Sequence, residues 1–574
     1  MGKKRQLTRR EFLQLAGLSA VGAAAAACAP QQPSTAAPTK APQAPAAQAT
    51  TAPAAPAATA APQAPAAAKA SQKPAIVAAL DSDIDLIDPM EFRSDAAYYA
   101  TANLYEPMLL QKTTLSADGV VLEGQNQYVG GLAESYTVSP DGKLVTLKLR
   151  QGAKFANGDE ITADCFKDTF NRAMTAKQSY IPLLTQFMGI DNPDEIVVKD
   201  KYTLAISPKQ ASAMLVPFLA FQVFGAMDPA TTKAHATADD PWAFKWYEKN
   251  ANPSGPYQMT KWDAGKEYDF EPNPNYWQGP DYFHNSKFIM KVVPAAEDRE
   301  LLLKKGDIDL ALGLPFKDLN TLKSDPNVKL TSIQYTRLSY LGMNNKIKPF
   351  DNVKVRQAIS YGIPYQTLVD KVLYGYGQRA YSPIPNGMPT SNKSFWNYET
   401  DTKKAAQLLK EAGVSNLQLE LAVRQSIPWD GDAAVWIQSS LQEAGVNVTI
   451  NRMTDADFLD KLNKHQLQFF IHDWYSWGND PAYQLTFLLK SGAATNYVDY
   501  SNKQVDDLIE KVTWATDPQQ RQQMMDQAQQ IIVGEAPWAY LYQPNWVVAT
   551  NKSFTGFAKL DDLCLRFGPM GKNA

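Results

Sequence analysis

The tetrapeptide Glu-Ala-Gly-Val closes two successive helical patterns, at residues 411–414 and 443–446, and each copy runs straight into a strand-like stretch. One helix is expected over 402–412, with Asp401 as N-cap and Gly413 as stop. A second is expected over 433–444, with Asp432 before it and Gly445 after it. Strands follow at 417–423 and 446–451, where β-branched and aliphatic residues run between polar breaks. Parallel neighbours need a crossover, so two such units in a row predict a parallel sheet covered by helices. An α/β domain is therefore expected over about 343–535.

Further strands are expected at 75–80, 144–150, 202–206, 288–293 and 467–473. Between 131 and 172 the chain reads as a hairpin on an Asp141-Gly142 turn, a second turn at Asn157-Gly158, and a capped helix. Two long helices, 501–516 and 518–533, are separated by Asp517-Pro518, and a strand-like stretch at 538–550 comes after them. A terminal strand placed there pairs most easily with an earlier sheet. That implies two lobes and two crossings between them.

The first 27 residues carry Lys3, Lys4, Arg5, Arg9 and Arg10, then a run of small and apolar residues ending at Cys28. Sixteen Ala-rich residues are too few for a bilayer span, which needs roughly 20 strongly apolar ones. Residues 1–27 read as an export leader, Tat-like at Thr8 to Leu13, with a lipobox-like processing site before Cys28. Ordinary cleavage near Ala27 and Sec export are the alternatives. Residues 28–73 are almost wholly Ala, Pro, Thr and Gln and bury too little apolar surface to offset ordering entropy, so a disordered tether is expected. The localisation implied is extracytoplasmic, lipid-anchored through Cys28 to the cell membrane.

Five of the 56 basic and one of the 59 acidic residues lie in the leader, leaving 51 against 58 and a net charge near −7. That balance repels phosphate backbones, and no nucleic-acid partner is expected. The remaining chain is long enough for two or three domains. Asp81, Asp83, Asp85 and Asp88 superficially suggest a calcium loop, but Leu86 and Phe92 stand where such a loop needs Gly and Glu. A solvated loop is the expectation. The glycines at Gly375 and Gly377 follow a helix and so fail the dinucleotide fingerprint. Four histidines without metal spacing, and no nucleophile elbow or Walker loop, give no sign of a metal, a cofactor or an enzyme. Cys165 reads as a buried small hydrophobe; whether it pairs with Cys564 is left open.

Taken in order, residues 131–136, 252–257 (Asn-Pro-Ser-Gly-Pro-Tyr), 273–277 (Asn-Pro-Asn-Tyr-Trp), 306–309, 343–344, 349–351, 355–359, 405–413, 480–481 and 536–537 resemble the extracytoplasmic solute-binding proteins of ABC importers, in the peptide and nickel class (family 5). The resemblance implies a two-lobed, type II periplasmic-binding-protein-like α/β fold with hinge strands that cross between the lobes near 335–343 and 539–547. Lobe 1 would span 74–340 with an inserted subdomain at about 112–250, lobe 2 would span 341–538, and 539–574 would return to lobe 1. It further implies a monomer that encloses a ligand and presents its closed form to ABC permease subunits. In peptide-binding relatives a loop Trp is followed three positions on by an acid that pairs with the ligand's α-amino group. Aligning Trp474 and Pro481 puts Trp477 at that position.

Three aromatics within four residues, Trp474, Tyr475 and Trp477, are the leading ligand-binding candidates, since such rings stack on sugars or pack on apolar groups. Asp473 or Asp480 could substitute for that loop acid. Arg424 could hold a carboxylate as a bidentate pair, with Trp429 and Trp436 near its strand. The reading is a transport receptor for an oligopeptide-like ligand. An oligosaccharide ligand in the same role is the alternative, and an exported glycoside hydrolase is the rival from another class.

Overall fold

The computed structural model describes residues 73–573 apart from 117–118, 123–126, 477–478 and 561. The leader, Cys28, the tether up to residue 72 and Trp477 lie outside the described residues.

Two mixed sheets organise the molecule. The first has seven strands in the order Tyr257–Asp263, Glu267–Pro272, Lys287–Val292, Ala75–Leu80, Leu310–Ala311, Trp546–Asn551, Val328–Ile333. The second has six, in the order Gly377–Arg379, Trp538–Pro544, Leu338–Met343, Phe469–Trp474, Leu417–Arg424, Val446–Met453. In the second sheet Leu417–Arg424 runs parallel to Val446–Met453, in register from Leu417 opposite Val446 to Arg424 opposite Met453. Helix Thr402–Glu411 is capped by Asp401 Oδ1, which accepts the Lys404 N–H at 2.8 Å, and ends before Gly413 at φ +71°. That left-handed position costs glycine nothing. Helix Pro428–Glu443 turns Ala433, Ala434, Ile437 and Leu441 into the core beside Leu421, Val423 and Val448.

The chain passes from the first sheet to the second between Ile333 and Leu338, and returns between Pro544 and Trp546. The stretch expected as one strand at 538–550 is thus two strands, split at Asn545 and paired with different sheets. A four-stranded antiparallel sheet in the order Ala133–Val138, Val145–Leu149, Thr203–Ile206, Ile196–Asp200 packs with helix Ala163–Ala176. Its hairpin turns at Gly142, φ +68°, where Asp141 Oδ1 accepts from Ser139 Oγ at 2.5 Å. Cys165 and Cys564 are both buried free thiols.

Two expectations change. The helix expected to begin after Asp432 begins at Pro428, whose missing N–H falls among the donors a helix start leaves unpaired anyway. Asp432 therefore sits inside the helix and Asp430 is buried at its first turn. The acidic run after the first strand is not a merely solvated loop. Asp83 accepts from the Tyr268 hydroxyl, Asp85 accepts the N–H groups of Arg93 and Ser94 at 3.0 and 3.2 Å, and Asp88 forms a buried ion pair with Arg172.

Candidate functional site

Four strands that run parallel to a neighbour point their carboxyl ends at the space between the two sheets. Asp81 follows Ala75–Leu80, Gly313 follows Leu310–Ala311, Ile427 and Trp429 follow Leu417–Arg424, and Tyr475 follows Phe469–Trp474. The crevice outside such strand ends is where open α/β sheets hold ligands. All five residues line one cavity of about 170 Å³, together with Asp95, Tyr98 and Tyr99 of helix Asp95–Leu104. Both crossings contribute: Tyr335 and Arg337 from the first, Pro544 to Val547 from the second. Walls of mixed aromatic and aliphatic side chains thus surround three charged ones, Asp81, Asp95 and Arg337.

Asp95 sits in the first turn of its helix, after the Ser94 cap, where the helix dipole favours an anion. It remains accessible to water in the cleft although protein surrounds it, and that depth pushes its carboxyl above the ordinary range. Arg337 opposes the shift, while Asp81 and Asp473 add to it. The Tyr475 hydroxyl donates to Asp95 Oδ1 at 3.4 Å, a contact between the two sides of the cleft.

Arg337 is held from behind. Its Nε donates to Asp473 Oδ2 at 2.7 Å and its Nη1 to the Tyr335 hydroxyl at 3.4 Å. Asp473 also accepts from Arg424 Nη2. Burial pushes the Asp473 carboxyl up, but Arg337 and Arg424 outweigh it and hold it far below the usual range. Burial and the positive Arg424 hold the neighbouring His472 down at about 3, so it stays neutral. Asp430 lies 4.0 Å from Arg424 Nη2, is 1 % exposed, and among the described residues has no hydrogen bond to either carboxylate oxygen; burial raises its pKa to about 7.

The predicted residues are dispersed by the fold. Tyr475 and Trp429 line the cleft, Trp429 packing on Phe316 with centroids 5.2 Å apart. Arg424 stands behind the wall on Asp473. Trp474 is half-buried against Phe487, centroids 6.1 Å apart. Asp480 caps helix Pro481–Leu488 through the Ala482 N–H at 2.8 Å and forms an ion pair with Arg521. Trp436 is 42 % exposed on the outer face of its helix, beside Ser440 and Glu443. Sequence reasoning missed Asp95 and Arg337, and it read Asp81 only as part of a failed calcium loop. Position immediately after a strand end or at a crossing was the available signal.

Comparison with known proteins gives one consistent result. The model of the bacterial extracellular solute-binding proteins, family 5 Middle, matches residues 127–496. The chain is 31% identical over 492 residues to the probable D,D-dipeptide-binding periplasmic protein DdpA of Escherichia coli strain K12, covering 85% of this chain and 92% of that one. It is 26% identical over 502 residues to the glutathione-binding protein GsiB of the same strain, covering 86% and 93%. Among solved structures, the periplasmic binding protein DppA of Helicobacter pylori in complex with the peptide STSA superposes with a TM-score of 0.76 at 24% identity, covering 87% and 98%.

Proposed function

We propose, from the premise that the chain belongs to family 5 of the bacterial extracellular solute-binding proteins, that it captures short peptides in the cleft and hands them to an ABC permease. One observation carries the peptide reading: the cleft sets the Asp81 and Asp95 carboxylates and the Arg337 guanidinium around one cavity of mixed aromatic and aliphatic walls. A peptide's ammonium belongs with the carboxylates and its carboxylate with the edge of Arg337 that faces the cleft. Relatives named for D,D-dipeptides and glutathione support a solute of this size and charge. Asp95 takes the place of the loop acid whose position Trp477 occupies.

The lobes of this reading are the two sheets with their helices, hinged at 334–337 and at Asn545. Residues 1–27 direct export, Cys28 carries the lipid, and the tether lets the receptor stand off the membrane. Lipidation would be seen as a mass shift lost in a Cys28→Ser protein.

Isothermal titration with Ala-Ala, D-Ala-D-Ala, tripeptides and oligosaccharides tests the ligand class. Saturable binding of a free peptide, weakened about tenfold or more when its amine is acetylated, is the expected result. No binding of any peptide, or turnover of a glycan at catalytic amounts of protein, would overturn it.

A further inference from the structure

Arg337 is the cleft-facing end of a buried charge row: Arg337, Asp473, Arg424, Asp430. The first three members are tied by hydrogen bonds, 2.7 Å from Arg337 to Asp473 and a shorter one from Arg424. The fourth is not. Asp430 Oδ2 stands 4.0 Å from Arg424, a loose ion pair, and among the described residues neither of its oxygens has a hydrogen-bond partner. Arg424 Nε, Ser339 Oγ and Tyr542 OH are also buried without partners. Strand register puts Ser339 opposite both Asp473 and Tyr542, on one face of the second sheet. A carboxyl that is 1 % exposed at the first turn of a helix and makes no hydrogen bond among the described residues is costly to keep ionised.

We propose that Asp430 is a positioning residue of the capture site, and that it sets, through Arg424 and Asp473, how much positive charge Arg337 presents to the solute's carboxylate. With Asp430 neutral, two guanidiniums face one carboxylate and the row carries a net charge of +1. With Asp430 ionised the row is neutral. A solute carboxylate arriving at Arg337 adds negative charge to the row, so capture draws a proton onto Asp430. The proton comes from solvent, and no other bond changes.

The groups facing Asp430 leave it as the member that titrates. Asp473 is held ionised by its two guanidiniums, and His472 is held neutral. Tyr542, across the sheet, is buried and stays protonated. Arg452, from strand Val446–Met453, donates to the Gly431 carbonyl at 3.3 Å. Asp432, on the same helix, is exposed. Burial raises Asp430 to about 7, with Arg424 and Arg337 opposing the shift and Asp473 adding to it.

This proposal rests on the solute being a peptide with a free carboxyl end. Its signature is that affinity is full below about pH 6 and falls as pH rises through the range where Asp430 ionises. A pKa raised by half to one unit on capture corresponds to a loss of roughly two- to fivefold between pH 6 and pH 8. The experiment is titration calorimetry of the wild-type protein and of Asp430→Asn with Ala-Ala and with its C-terminal amide, at pH 6 and pH 8. The solute's own α-amino group loses its proton near pH 8, at about 7.7–8.0, and weakens binding alike in both proteins and for the amide; the expected result is a further loss of affinity for Ala-Ala in the wild type, absent from the variant and from the amide. Equal pH dependence in both proteins, or none in the wild type, overturns the proposal. Carbon-13 carboxyl NMR of the solute-free protein keeps the two readings apart. If no peptide binds, the peptide reading falls; titration of Asp430 below pH 5 overturns the positioning role whatever binds.

Discussion

Replacing Asp473 by Asn tests the framework behind the cleft most directly. Asp473 is 9 % exposed, and its two partners, Arg337 and Arg424, are 21 % and 14 % exposed. The substitution keeps shape and volume but leaves two guanidiniums facing each other across an amide. Removing one partner of a buried ion pair typically costs about 3–5 kcal/mol, because the remaining charge is left uncompensated. One edge of Arg337 faces a wet cleft, so screening reduces the expectation to about 2–4 kcal/mol. Urea unfolding followed by tryptophan fluorescence measures it as a lower midpoint at unchanged slope. The double variant Asp473→Asn with Arg424→Met relieves the guanidinium pair and should recover at least half of the loss. A single-variant loss below about 1 kcal/mol, or a double variant that is worse still, would refute the view that this carboxylate holds both arginines. The pH sign is fixed by the depressed folded pKa. Stability from Asp473 is present above its unfolded value near 3.9 and is lost as pH falls below it.

Three further outcomes follow from the same geometry. Asp95→Asn should weaken binding of a free dipeptide about tenfold or more by calorimetry, since hydrogen bonds to charged groups contribute about 1.5–3 kcal/mol, and should leave an N-acetylated peptide unaffected. Helix Pro481–Leu488 buries Ala482, Leu485 and Leu488 in the core of the second sheet but sends Tyr483 and Phe487 against Phe187 of the first lobe, with ring centroids 5.4 and 5.6 Å apart. Phe487→Ala removes ring contacts worth about 0.5–1.5 kcal/mol per pair, so the solute-free protein should have a larger radius of gyration by small-angle scattering than wild type. Glu106 is 4 % exposed, accepts from Trp277 Nε1 at 3.0 Å, and is raised by burial to about 7. A raised acid favours the folded state below its unfolded pKa and loses that advantage up to its folded one. Thermal unfolding from pH 4.5 to 7.5 should therefore cost the wild type about 2–3 kcal/mol relative to Glu106→Gln.

The parts of this fold that the sequence discloses are those with local causes. Asp401 and Gly413 bracket a helix because a side-chain acceptor and a left-handed backbone are needed at just those places, and both sit within one turn of what they control. The turn at Gly142 is legible for the same reason. The start of helix Pro428–Glu443 was misjudged because Asp432 looks like a cap, whereas Pro428 opens the helix four residues earlier. The two-strand nature of 538–551 is invisible to periodicity: both halves are apolar, and only pairing with different sheets separates them at Asn545. The cleft's charges were hidden most deeply. Arg337 finds Asp473 136 residues away, and Tyr475 finds Asp95 380 residues away. No spacing rule spans such distances, so an isolated Arg or Asp reads as a solvated surface charge.

The double crossing explains why those charges had to come from so far apart. A rotation that opens the molecule must be absorbed at the two crossings, and Arg337 and Asn545 lie in them, at the back of the cleft. Asp81 and Asp95 move with one sheet; Trp429 and Tyr475 move with the other. A solute that touches one wall alone binds open and closed forms equally and shifts nothing. On the proposed reading, only a molecule that spans them, with a cation for Asp81 and Asp95 and a surface for Trp429 and Tyr475, gains contacts on closing. Selection for a doubly ended solute therefore follows from where the strands end. It also explains why acetylating the amine should reduce closure as well as affinity.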